Sequence, residues 1–239
     1  MPALLTSSPL LALLVQGVFW SVLTIGLYAV VKRMYRRWRK WWLMPLALTP
    51  LLVGVVLLLL HGTYHDYLRS AGWLVALLGP ATVAFAIPIY DQRALIRRQW
   101  PVLAIGMVAG SATALATGWL FATLLGLDGT LRLSLLPRSI STPFAMEVSG
   151  DIGGFPDLTA FFVVLTGVVG AIIGEVMLAW LPVRTALARG ALFGVAAHGA
   201  GTAKAHELGR EEGTIAGLVM VFAGLASVLL APLVAYVLR

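Results

Sequence analysis

What this chain can fold into is set by its apolar runs. Stretches at about 9–31, 43–61, 73–90, 101–125, 158–181, 190–208 and 213–237 each approach the roughly 20 residues an α-helix needs to cross about 30 Å of hydrocarbon. With 60% hydrophobic residues, 11% charged residues and a mean hydropathy of +0.93, a chain of 239 residues lacks the polar surface that a soluble domain requires. A transmembrane barrel would alternate polarity in segments of about ten residues, and this chain does not. The expected fold class is an all-α polytopic membrane protein with about seven transmembrane helices plus a re-entrant segment.

The formal charge of +7 invites a nucleic-acid reading, but the placement of the charge argues against one. Lys32, Arg33, Arg36, Arg37, Arg39 and Lys40 follow the first apolar run directly, with Tyr35, Trp38, Trp41 and Trp42 among them. Basic loop residues retained on the cytoplasmic side, flanked by amphipathic aromatics at headgroup depth, look like this. The cluster also suits anionic lipid. Membrane lipids are therefore expected partners and nucleic acid is not. Placing this loop inside puts the N-terminus outside and the C-terminus, with Arg239, in the cytoplasm. Residues 1–8 carry no basic side chain, so the first run reads as a retained span rather than a secretory signal. With no cysteine, disulfide and thiolate chemistry are excluded.

Segment 130–150 interrupts the pattern. Pro137, Arg138, Pro143 and Glu147 break its apolar patches, so it is expected to re-enter or lie on the surface rather than cross. On either side, GPATVAFA at 79–86 and GAGTAKA at 199–205 share the order Gly-x-small-Thr-small. Each is preceded by one span and followed by a charged loop and a small-residue helix. The chain is read as an inverted repeat with interrupted helices, in units of about 43–125 and 158–237, an arrangement that points to a site near the bilayer midplane. Residues 1–61 are then an N-terminal scaffold and 62–239 a transport domain.

Polar groups inside hydrocarbon are costly and mark sites when they occur. In LLPRSISTPFAME, Arg138 offers a fork that binds planar oxyanions through two parallel bonds, Ser139, Ser141 and Thr142 offer hydroxyls, and Pro143 disturbs the helix. The structural alternative is an Arg138 that snorkels to the interface. In RGALFGVAAHGAGTAKAHEL, His198 and Thr202 share a helix face while Gly201 and Lys204 lie close by; His198 can carry a proton, or simply pack among glycines. Pro80 and Thr82 are expected to break or kink the third span. Glu147 is the carboxylate expected to pair with Arg138, and Glu175 is expected to be paired or snorkelling. His61, His65, His198 and His206 form no metal pattern, and no nucleotide fingerprint or catalytic triad is present, so neither an enzyme nor a cofactor or metal site is expected.

These residues carry a resemblance. LLGPATVAFAIPIY, LLPRSISTPFAMEVSGDIGGFPDLTAFFVVLTGVVGA and AHGAGTAKAHELGREEGTIAGL, in that order over about 62–235, resemble the LrgB/CidB family of bacterial membrane proteins, related to the C-terminal half of plastid glycolate/glycerate translocators. Where that family usually reads Lys-Ser-Val-Thr-Thr-Pro, this chain has Arg138-Ser139-Ile140-Ser141-Thr142-Pro143, so a point charge becomes a fork. The His-x-x-Gly-Thr-Ala pattern is intact at His198, Gly201, Thr202 and Ala203.

The resemblance implies two accounts. Bacterial members are described as holin/antiholin-like regulators of murein hydrolase activity and autolysis, often beside a small LrgA/CidA-type membrane partner. Other members are associated with movement of small monocarboxylates such as glycolate, glycerate or pyruvate. Interrupted helices favour the second account. The expectation is an alternating-access carrier, dimeric, in the inner membrane. Its small carboxylate would be held by Arg138 and Lys204, with hydroxyl contacts from Ser139, Ser141, Thr142 and Thr202, His198 as proton carrier, and Pro80 and Thr82 near the same point. The holin-like channel or regulator is the alternative.

Overall fold

A computed structural model describes residues 9–84, 86–127 and 129–238. Residues 1–8, on which the retained-span reading of the first run rests in part, lie outside the described residues, as do Phe85, Asp128 and Arg239. All regular structure among the described residues is helical. The chain divides into two compact units, Met1–Val83 and Ala84–Arg239.

The first unit is built on α1 (Pro9–Trp38), followed by a 3-10 turn at Trp41–Leu43, α2 (Pro45–Leu59), α3 (Tyr64–Ala71) and α4 (Trp73–Ala76), and it ends within α5 (Leu78–Ala84). Side chains on one face of α1 hold the later helices. Trp73 Nε1 donates to Ser21 Oγ at 2.8 Å, Thr24 Oγ1 and Tyr67 Oη lie 3.1 Å apart, and Trp20 stacks edge-on against Tyr67. Thr63 caps α3 by accepting from the Asp66 amide. The basic residues ending α1 meet aromatics: Lys32 stands over Tyr28 and Lys40 over Trp42, as expected of side chains at headgroup depth.

The second unit comprises α6 (Ala86–Asp91), α7 (Arg93–Leu124), α8 (Gly129–Leu135), a 3-10 turn at Leu136–Ser139, α9 (Thr142–Ile152), α10 (Pro156–Trp180), α11 (Ala186–Leu208) and α12 (Arg210–Leu238). Its core is apolar, and so is much of its outer surface. Small and branched residues of α12, such as Ile215, Leu218 and Val221, are buried, while Leu165 and Ile173 of α10 and Leu229 and Leu233 of α12 face outward. Exposed apolar faces on this scale belong against lipid.

Five helices among the described residues are long and apolar enough to cross a membrane: Leu14–Trp38, Trp73–Asp91, Arg93–Leu124, Pro156–Trp180 and Arg210–Tyr236. The pair Pro45–Leu59 and Tyr64–Ala71, bent by 116°, brings the number to six if it forms one span. Against about seven expected crossings, the run at 43–61 is met only if that bent pair is one span, and α11 falls short. It carries His198, Lys204, His206 and Glu207, which lower its apolarity, and it is not one straight helix.

Segment 130–150 is inside the unit, not on its surface. Leu136, Ile140, Phe144, Ala145, Val148 and Ile152 join Val163, Ala223 and Ala231 in one buried cluster. The segment also closes on itself. Ser134 Oγ accepts from the Phe155 amide at 2.7 Å, and Thr159 Oγ1 lies 2.9 Å from the Ser134 carbonyl oxygen and 2.6 Å from Ser149 Oγ. Ser134 ends α8 and Thr159 begins α10, so the chain returns to within a hydrogen bond of where it left. Gly153, at φ 88°, makes the left-handed turn that ends α9 and allows the return.

Candidate functional site

The tip of this hairpin is the 3-10 turn carrying Arg138 and the start of α9. Pro143 does not disrupt a helix there; it occupies the first turn of α9, where its missing N–H costs nothing. Ser141 is the N-cap residue of α9, yet its side chain makes no capping bond. Its buried Oγ has no hydrogen-bond partner among the described residues. Thr142, the first residue of α9, is half-buried beside it.

Arg138 lies three residues before Ser141. Its guanidinium lies against α7, where a Cβ built on Gly118 would sit 3.7 Å from Nε. It opens into a cavity of about 540 Å³ formed mainly with Phe162, Thr166 and Gly170 of α10 and Ala196 of α11. Gly118 lies roughly 9 Å from the C-terminal end of α7 at 1.5 Å per residue. No carboxylate pairs with Arg138 among the described residues. The expected partner, Glu147, is instead exposed on α9. Ser139, next in sequence, lines a separate cavity of about 220 Å³ with Ser111 of α7 and Ser227 of α12. The turn is a wall with the guanidinium on one side and a hydroxyl on the other.

The third component is the break in α11. His198 has φ 36° and ψ −116° inside an otherwise helical stretch. Such a backbone for a non-glycine residue is strained, and it persists only where the surroundings fix it. Eight residues of straight helix rise about 12 Å, yet a Cβ on Gly201 would overlap the Phe193 carbonyl oxygen. The two halves of α11 therefore fold sharply at His198, and only glycine fits at 201. The interruption expected at 189–208 is thus present. The His198 ring is buried, packs against Gly167 of α10 and faces the backbone carbonyl of Arg138, while its Nε2 has no partner among the described residues.

Sequence reasoning did not find why α10 admits this break. Gly167, Gly170 and Gly174 form a stripe on which His198, Ala197 and Phe193 sit; a Cβ on any of them would come within 2.7 Å of α11. The signal was present in GVVGAIIG, small residues at helical spacing.

Of the expected residues, Arg138 lines the α10/α11 cavity and His198 meets the Arg138 backbone, while Ser141 and Thr142 start α9 three and four residues further on. Lys204 is not free to hold an anion: its Nζ lies 3.0 Å from Glu175 and 3.2 Å from Glu207. Glu175 is paired, as expected. Thr202 turns toward α12, with its hydroxyl 3.8 Å from Met220 Sδ. Pro80 and Thr82 belong to α5 in the first unit, where Thr82 Oγ1 donates to the Leu78 carbonyl at 2.7 Å. What remains at the cavity is the half-buried Arg138 guanidinium, with no ion pair among the described residues. A guanidinium open to a cavity suits a small anion.

Residues 24–237 match the LrgB-like family. The chain belongs to the LrgB-like family. YwbG of Bacillus subtilis (strain 168), whose role is uncharacterised, is 38% identical over 216 residues, 90% of this chain and 96% of that protein. An uncharacterised protein of Haemophilus influenzae (strain ATCC 51907 / DSM 11121 / KW20 / Rd) is 34% identical over 215 residues, 90% of this chain and 93% of its own. CidB of Staphylococcus aureus (strain Mu50 / ATCC 700699), described as a holin-like protein, is 29% identical over 218 residues, covering 91% of this chain and 95% of that one. No solved structure matches this LrgB-like chain.

Proposed function

We propose that this chain is a holin-like protein of the bacterial inner membrane, a multi-pass protein that governs permeation there and, through it, murein hydrolase activity and autolysis. The observation that carries this reading is similarity along nearly the whole chain to a protein described as holin-like. That description supports this account over the carrier expected from the sequence. The proposed orientation has the N-terminus outside and the basic loops and C-terminus in the cytoplasm, which requires α11, folded at His198, to complete a seventh crossing. A second copy of the chain and a small LrgA/CidA-type protein are the proposed partners. Induced expression in bacterial cells, with and without such a partner, tests it. Uptake of a membrane-impermeant dye and hydrolase activity in cell-wall zymograms are expected to change with dose, and constancy of both overturns it.

One observation favours a second reading, movement of a small monocarboxylate. Arg138, with no ion pair among the described residues, faces a cavity lined by α10 and α11 beside the break at His198. A passive holin-type pore has no use for such a group, whereas a carrier needs one for its anion. Proteoliposomes loaded with labelled glycolate or pyruvate separate the two. Saturable counterflow lost in Arg138→Ala supports the carrier; unsaturable leak that is indifferent to the substitution supports the pore.

A further inference from the structure

Two hollows outside the Arg138 site follow the first half of α7. At the start of α7, Arg93, Arg97 and Arg98 line a concavity of about 540 Å³. Arg93 is anchored, donating to the Tyr90 carbonyl at 2.9 Å with its guanidinium over the Tyr90 ring. Arg97 and Arg98 are exposed and have no ion pair among the described residues, and nearby Asp91 pairs with none of the three. Directly along the helix runs an apolar groove of about 410 Å³, walled by Trp100, Leu103 and Ala104 of α7 and Phe222, Ala226 and Leu229 of α12. Positions 93, 97, 100 and 104 follow i, i+4, i+7, i+11, so Arg93 and Arg97 share the groove's helix face, while Arg98, about 100° on from Arg97, borders the same concavity from the side.

We propose that the second unit holds one anionic phospholipid, its phosphate at Arg93, Arg97 and Arg98 and an acyl chain in the α7/α12 groove. Three features of the site fit this occupant. The groove runs along α7 from Ile96 to Met107, about 16 Å at 1.5 Å per residue, close to half of a roughly 30 Å hydrocarbon core and so to one leaflet. Trp100, 63% exposed, stands where cations give way to apolar wall, the depth at which indole rings mark the interface. Ala104 and Ala226 are the small residues that open the furrow. A second copy docked here by two-fold symmetry would bring its own guanidinium cluster against this one, which disfavours that occupant, whereas a phosphodiester complements the charge.

Native mass spectrometry of the full chain, released from detergent micelles with phosphatidylglycerol or phosphatidylcholine of identical acyl chains, tests this. Retention of one phosphatidylglycerol at about tenfold over phosphatidylcholine is expected, falling to parity in R97Q/R98Q, whose side chains are exposed and leave the fold intact. Ala104→Phe, which fills the groove, is expected to reduce retention of both lipids, and free glycerol phosphate at equal concentration is not expected to compete. Equal retention of the two lipids, indifference to R97Q/R98Q, competition by the headgroup alone, or a lipid-free dimer dissociated by Ala104→Phe would each overturn it.

Discussion

Arg138 and Lys204 are both cations among apolar helices, and their neighbours give them different work. Lys204 is neutralised by Glu175 and Glu207, one carboxylate from α10 and one from α11 itself, so it fastens the second half of the broken helix. Lys204→Ala is expected to destabilise the protein by about 1 kcal/mol, because the Glu175 side chain is 59% exposed and water screens the pair. Arg138→Ala removes a group with no ion partner and is expected to leave thermal unfolding, followed by tryptophan fluorescence, nearly unchanged while abolishing any saturable anion flux. If Arg138→Ala unfolds the protein and Lys204→Ala abolishes flux, the two roles are reversed. The singularity of Arg138 was legible from its setting of hydroxyls and prolines. The partners of Lys204 were legible only in part, since the register of α10 against α11 depends on how the glycine stripe seats, and a single sequence does not print register.

At the scale of elements, a hairpin and a break make the site, and each is held by small groups rather than bulky ones. The hairpin ends are joined by the hydroxyls of Ser134, Ser149 and Thr159, all fully buried. Thr159→Val keeps the shape but leaves Ser149 Oγ without its 2.6 Å partner, an expected loss of about 1–3 kcal/mol. The break depends on Gly201; Gly201→Ala forces a methyl onto the Phe193 carbonyl and is expected to cost about 1–3 kcal/mol or to straighten α11. Protection of amides around His198 in hydrogen exchange distinguishes these outcomes, and unchanged stability together with unchanged exchange would show that the kink does not need glycine. The interruptions were readable because Gly, His and Pro in an apolar run conflict with a plain span. The closure of the hairpin was not, because Ser134 and Thr159 are ordinary helix residues until the turn at Gly153 brings them together.

For the whole molecule, composition was enough to give the class, and the helices agree with it. The number of crossings was less legible, because hydropathy counts apolar length and takes no account of direction. Bends of 116° between α2 and α3 and the fold of α11 at His198 change direction without changing composition. Orientation rests on charge alone, twelve of the seventeen Lys and Arg residues falling on one side when the 32–40 loop is placed in the cytoplasm. The absence of native cysteine makes this directly measurable. Single cysteines at Trp38, Gln92 and Arg184 are expected to resist an impermeant maleimide in intact cells and to react after permeabilisation, whereas one at the exposed Asp151, at the end of α9 near the mouth of the hairpin, is expected to react in both. Labelling of the cysteine at Arg184 in intact cells, with that at Gln92 still protected, would mean that segment 130–150 crosses after all, and the closed hairpin at Ser134 and Thr159 would have to be abandoned.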